Sequence, residues 1–292
     1  MRGHARVAFA YLTPALLVLG GLLAYPIYQL VLISLYDYGQ EQVSGGAPLT
    51  FLGLGNYQKL LGDQQFWTVL GQTVGFAAVC VVGTLLVGAC LAILCTRVRT
   101  WARMVLFLAA LGAWSTPAVA GSTIWLFLFD ANFGFVNEIL GTTGYSWTFD
   151  KWTAFGLVAA QVIWCSFPFV MVTLYAGIKA IPAEVLEAAA LDGASTLRTA
   201  VSVTLPLLKP ILIVVTIQSI IWDFKVFTQI YVMTNGGGIA GRNLVLNVYA
   251  YQQAFAASEY GLGAAIGVVM TAVLLVITLF YLRALRRQGE AL

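Results

Sequence analysis

The run 211-ILIVVTIQSIIWDFKVFTQIYVM-233 is apolar enough to lie in lipid, yet it carries groups that lipid penalises. Gln218, Trp222, Lys225 and Gln229 recur at i, i+4, i+7 and i+11, a spacing that predicts one face of a continuous helix. Thr216, Ser219 and Asp223 form an adjacent stripe. A carboxylate or ammonium near the middle of a bilayer costs about 2.5–3.5 kcal/mol on insertion scales. Asp223 and Lys225 must therefore face protein or water. They stand two residues apart, so they do not face each other on a helix, and each needs another partner. Two chemistries fit. One is a buried interhelical ion pair or hydrogen-bond network. The other is a water-accessible solute path, with Trp222 as a stacking surface and Gln218, Lys225 and Gln229 as hydrogen-bond donors. Gln161, Trp164 and Ser166, in an earlier apolar run, are further candidates for that path.

Other chemistries have no residues to carry them. His4 is the sole histidine and sits in the N-terminal tail, read as solvated. Cys80, Cys90, Cys95 and Cys165 lie inside apolar runs without metal-ligand spacing, and read as small buried hydrophobes. No nucleophile–base pair appears, which leaves a membrane enzyme without candidates. No G-x-x-x-x-G-K-[ST] loop is present, and no lysine precedes Ser or Thr, so the phosphate cradle of a P-loop ATPase is missing from this chain. Gly261-x-Gly263 with Gly267 lies inside an apolar run without a preceding strand and is no dinucleotide fingerprint; Gly263-xxx-Gly267 reads as close helix packing.

The stretch 187-EAAALDGASTLRTAVSVTLPLLKP-210 has another character. Ile181-Pro182 predicts a helix entry with Pro at the first helical position. Glu184 and Glu187 suit the positive end of that helix, and Ala188 to Leu191 continue it with strong helix formers. Gly193 falls just past its end, where a positive φ is often required. Ser195 is placed to cap a second short helix, which Pro206 and Pro210 would close before the next long helix. An interfacial hairpin on headgroups would favour bulky anchors over an Ala triplet, and Glu184, Glu187 and Asp192 would be repelled by anionic lipid. A thin acidic helix between two long apolar runs suits docking to a soluble partner.

These groups need elements to hold them. The chain has 292 residues, 60% hydrophobic and 9% charged, with mean hydropathy +0.88. Soluble domains carry about 25% charged residues, so this composition predicts an integral membrane protein. Six runs are long enough to span, at about 8–35, 68–95, 104–129, 152–177, 207–232 and 260–283. The first is too long for the apolar core of a signal peptide and is expected to be retained. Pro117 and Pro168 are expected to kink their helices. The N-terminal tail, the even-numbered junctions and the C-terminal tail hold eleven of the fifteen Lys and Arg residues. By the positive-inside rule both termini and the loop over residues 178–206 are cytoplasmic. The expected architecture is all-α and polytopic, a single transmembrane domain over residues 1–292 with six helices.

The loop resembles the EAA loop of ABC importer permeases, through Glu187-Ala188-Ala189, Asp192-Gly193-Ala194 and Leu205-Pro206-Leu207-Leu208 with Pro210. Gly53-Leu54-Gly55-Asn56-Tyr57, Asp63 and Phe66-Trp67 look like the segment before helix two of sugar-type permeases. Thr234-Asn235-Gly236-Gly237-Gly238, Tyr249, Ala254-Phe255 and Tyr260-Gly261 are similar to their helix five-to-six region. The pattern covers most of the chain from about residue 50, and is nearest to the maltose and glycerol-phosphate permease type. Ala200 departs from it, since an aromatic is common there, which would weaken one contact to the ATPase.

The resemblance implies a type I ABC importer permease fold in a bacterial cytoplasmic membrane. It implies a heterodimer with a second permease, over two ATPase subunits that bind ATP and Mg, and an extracellular solute-binding protein. No cofactor and no nucleic acid is implied for this chain. Glu187 would make the polar contact in the ATPase groove and Gly193 would permit the elbow, with Ala188, Ala189, Asp192, Ala194, Leu205 and Pro206 completing the joint. Trp222 would then stack on a sugar ring in the path. The alternative is a secondary transporter using Asp223 or Lys225 as an ion relay, which has no need of a docking helix.

Overall fold

The computed structural model describes residues 2–287. His4, Arg2, Arg6, Arg286 and Arg287 lie outside the described side chains. Four unbroken helices are long and apolar enough to cross a membrane: Tyr11–Ser34, Gln64–Arg97, Lys151–Ala180 and Tyr260–Arg283. Two bent pairs supply the remaining spans. Thr100–Ser115 and Ala118–Leu128 meet at 105°, and Ala200–Leu207 and Lys209–Phe224 meet at 70°. The six expected spans are thus present, four straight and two broken.

The chain packs as two compact units. One comprises residues up to 68 together with 249–275. Here span one, Tyr11–Ser34, is exposed over nearly its whole length and contains a π-helical turn at Gly20–Ala24. It leads into an antiparallel pair, Tyr36–Asp37 with Thr50–Phe51, so the fold is not purely helical. These strands are two residues each, too short for an alternation pattern to announce them. A helix over Gly55–Gly62 follows. Its buried Asn56 donates from Nδ2 to the carbonyls of Ser34 and Tyr36, each at 2.9 Å, tying the end of span one to the hairpin. The Tyr249 hydroxyl donates to Asp63 at 2.8 Å. Burial first, and the Asp63 carboxylate second, raise that phenol above its ordinary pKa. Gly261 packs so tightly that a Cβ would lie 2.5 Å from the Tyr36 carbonyl oxygen. At Gly263 a Cβ would stand 2.7 Å from the Ala254 methyl, as expected of a close-packing glycine.

The second unit comprises residues 69–248 and the end of the chain from 276. Its core gathers Ala92, Cys95, Ala110, Val170, Met171, Leu174 and Val215 from spans two to five. Glycines let the helices approach: a Cβ on Gly88 would lie 2.6 Å from Val170 Cγ1, and one on Gly177 2.5 Å from Ile211 Cδ1. Asp150 caps span four by accepting from the backbone N–H groups of Trp152 and Thr153. Asn243 donates to the Lys151 carbonyl at 2.9 Å, fixing the glycine turn beside that cap.

Pro117 stands at the bend of span three, as expected, and Pro168 lies inside the continuous helix Lys151–Ala180. Several local expectations are corrected. Pro182 occupies the cap position and the loop helix begins at Ala183, because ψ of 137° at Pro182 is extended. Pro206 does not end the second loop segment: the chain stays helical from Ala200 to Leu207 and bends at Leu208. Cys80 and Cys95 are buried, but Cys90 is exposed on the apolar surface.

Candidate functional site

The expected single polar face of span five is broken. The long helix ends at Phe224, and a new one begins only at Thr228 and runs to Met233. The Lys225 amide donates back to the Trp222 carbonyl at 3.1 Å, a tight closing turn. Asn247 donates from its side-chain amide to the Lys225 carbonyl. That bond supplies the physical reason for the correction. A non-helical backbone at membrane depth must find its partners in protein, and this one comes from 22 residues downstream. Residues 225–227 contain no Pro or Gly to signal the break.

The break still assembles a site. Trp222, Asp223, Lys225 and Gln229 all line one cavity of about 610 Å³, together with Ser166 of span four. Gln218 is half-buried and is not part of that lining. Trp222 stands edge-on to Phe169 at 5.1 Å, and Phe169 lies 6.3 Å from Trp114, forming an aromatic wall. Trp164 packs against Trp125 at 6.1 Å. Asp223 is 2% exposed, and its Oδ2 has no hydrogen-bond partner. Gln161, 1% exposed, has an Oε1 in the same condition. Among the described residues neither Asp223 nor Lys225 forms a salt bridge. The arrangement offers a carboxylate, an ammonium, the amides of Gln229 and Asn247 and the indoles of Trp114 and Trp222 around one space, which suits hydrogen bonding to a polyhydroxylated solute.

Sequence reasoning missed Trp114, Thr116 and Asn247, which also line this cavity. Thr116 had a signal, since it precedes Pro117 inside an apolar run. Asn247 had a weaker one, as a polar residue within 244-LVLNVYAY-251.

The loop has the geometry its residues suggest. Its helix runs from Ala183 to Leu191, and Gly193 follows at φ +72°. A second helical turn starts at Thr196, where the Arg198 N–H donates to Ser195 Oγ at 3.4 Å. Glu184, Glu187, Ala188 and Asp192 are exposed, as are Leu205 and Pro206. Ala189 is buried and Ala194 half-buried, on the side turned to the spans. Leu191 is 90% exposed at the end of the loop helix.

Broken spans enclosing a polar cavity, with a rigid helix held out between two of them, define a membrane transport component. The chain matches the family described as "Binding-protein-dependent transport system inner membrane component" over residues 84–288. It is 37% identical to the diacetylchitobiose uptake system permease protein DasB of Streptomyces coelicolor, covering 99% of this chain and 89% of that one. It is 32% identical to the trehalose/maltose transport system permease protein MalF of Thermococcus litoralis, over 96% and 94% of the two chains. A solved bacterial ABC transporter involved in alginate import has the same fold, with a TM-score of 0.80 at 19% identity over 99% of this chain and 98% of that one. The chain belongs to this family: it is a multi-pass membrane permease of a binding-protein-dependent ABC importer. A secondary transporter finds no support in these likenesses.

Proposed function

We propose that this permease passes a sugar (a mono-, di- or oligosaccharide) or related solute, delivered by an extracellular binding protein, into the cytoplasm. The reading takes ATP hydrolysis to a separate ATPase chain with its bound ATP and Mg, and pairs this subunit with a second permease over two such ATPases. Both termini and the loop over residues 178–206 lie on the cytoplasmic side in this scheme. The sugar class is supported by the names of the relatives, which include uptake systems for diacetylchitobiose and for trehalose/maltose. The solute moves past Trp222, Asp223, Lys225 and Gln229, with Gln218 one turn before them on the helix.

The observation that carries the coupling mechanism is the loop helix itself. Its acidic and Leu191-bearing face is exposed, and Gly193 holds the left-handed elbow behind it. Glu187 meets the ATPase on that face, flanked by Ala188 and Asp192, with Ala189 and Ala194 backing the helix from the side of the spans, while Leu205 and Pro206 begin the lever into span five. Gly193→Val places a β-branched residue at positive φ, where such residues are strained by roughly 1–3 kcal/mol. The expected result is a chain that inserts in the membrane but loses ATPase co-purification and solute-stimulated ATP hydrolysis in the reconstituted complex. Wild-type stimulation by the variant would remove the loop from the coupling route.

A further inference from the structure

The loop helix has a second face, and it does not look outward. Leu186, Ala190 and Ala194 turn toward the spans and form one wall of a cavity of about 370 Å³. Ala89, Ile93 and Arg97 at the end of span two, Leu174 and Ile178 of span four, and Ala200 to Leu212 beyond the loop close the rest. The volume lies within the range of roughly 300–1,000 Å³ seen for small-molecule sites. The lining is mainly aliphatic, and much of the space exists because alanines stand at positions 89, 190, 194 and 200.

Arg97 is the one charged side chain in the lining, and among the described residues it has no salt-bridge partner. Hydroxyls of Thr96, Thr199 and Thr204 also line the cavity. The acidic residues of the loop, Glu184, Glu187 and Asp192, are absent from it, being on the exposed side. Arg97 ends a 34-residue apolar helix, which places it at the membrane–water boundary. Trp101, 68% exposed just beyond, is a residue type that anchors at that boundary. A mainly aliphatic cavity with one guanidinium that has no salt-bridge partner among the described residues, at headgroup level, is complementary to a molecule with an acyl chain and an anionic phosphate. Arg pairs with phosphate through two parallel N–H···O bonds.

We propose that this cavity holds one acyl chain of an anionic phospholipid from the leaflet on the loop's side, with its phosphate on Arg97. The site stands on its own geometry. Its consequence, that a lipid braces the loop helix from behind while the opposite face docks, rests on the coupling reading above.

The test is native mass spectrometry of the assembled transporter released from nanodiscs, without nucleotide. Discs of phosphatidylglycerol are compared with discs of phosphatidylcholine. The wild-type complex is expected to retain one more phosphatidylglycerol per copy of this chain than phosphatidylcholine. Arg97→Gln should abolish that preference. Ala89→Phe, which fills the slot from span two, should remove the retained lipid, and Ala200→Phe should do so from the opposite wall, so either variant suffices should the other fail to assemble. Equal retention of the two lipids by the wild type overturns the proposal, as does unchanged retention in Arg97→Gln or in an assembled slot-filling variant. Because no ATP turnover is read, a failed lipid site is distinguishable from a failed coupling loop.

Discussion

At Asp223 a carboxylate oxygen is buried without a donor, a condition that costs stability unless function requires it. An unsatisfied buried polar group costs about 1–3 kcal/mol, and more when charged. Asp223→Leu is therefore expected to raise the thermal unfolding midpoint of the purified complex while abolishing uptake by vesicles. A fall in that midpoint would assign Asp223 to holding the fold. The neighbouring Lys225 is exposed to the same cavity, so removing its charge is expected to leave stability within about 0.5 kcal/mol. Gln229→Ala tests the path from the far side of the helix break. It removes one hydrogen bond to solute, and initial uptake at subsaturating solute should fall roughly two- to tenfold, from a net hydrogen-bond contribution of about 0.5–1.5 kcal/mol. Equal uptake would take Gln229 out of the path.

Elements held by local chemistry were legible in the sequence, and those held from a distance were not. The loop helix, its elbow at Gly193 and the cap at Ser195 follow from residues adjacent in sequence, and the structure has all three. The six apolar runs were equally plain, because hydropathy sums over many residues. The break after Phe224 was not, since its freed carbonyl is answered by Asn247 from another element. The spacing of Gln218, Trp222, Lys225 and Gln229 presumed a helix that stops midway; Trp222, Lys225 and Gln229 line one cavity through a different geometry, and Gln218 does not. Asn56 was recognisable in its motif without revealing its task, which is to hold the carbonyls of Ser34 and Tyr36 where span one passes into the first strand. Asn56→Ala removes both bonds and leaves buried acceptors. Destabilisation by about 1–3 kcal/mol is expected, read as a lower unfolding midpoint in detergent. An unchanged midpoint would mean that the hairpin finds other donors.

At the scale of the molecule, the arrangement of positive charge sets the topology. Cysteines placed at positions 99 and 46, in a background lacking the native four, should react with impermeant reagent from the cytoplasmic and the outer side respectively. Reaction of position 99 from outside would invert the scheme. Leu191, 90% exposed at the end of the loop helix, carries a further consequence. In the proposed docking scheme the ATPase covers it, and the apolar area withdrawn from water would favour association beyond the polar contact at Glu187.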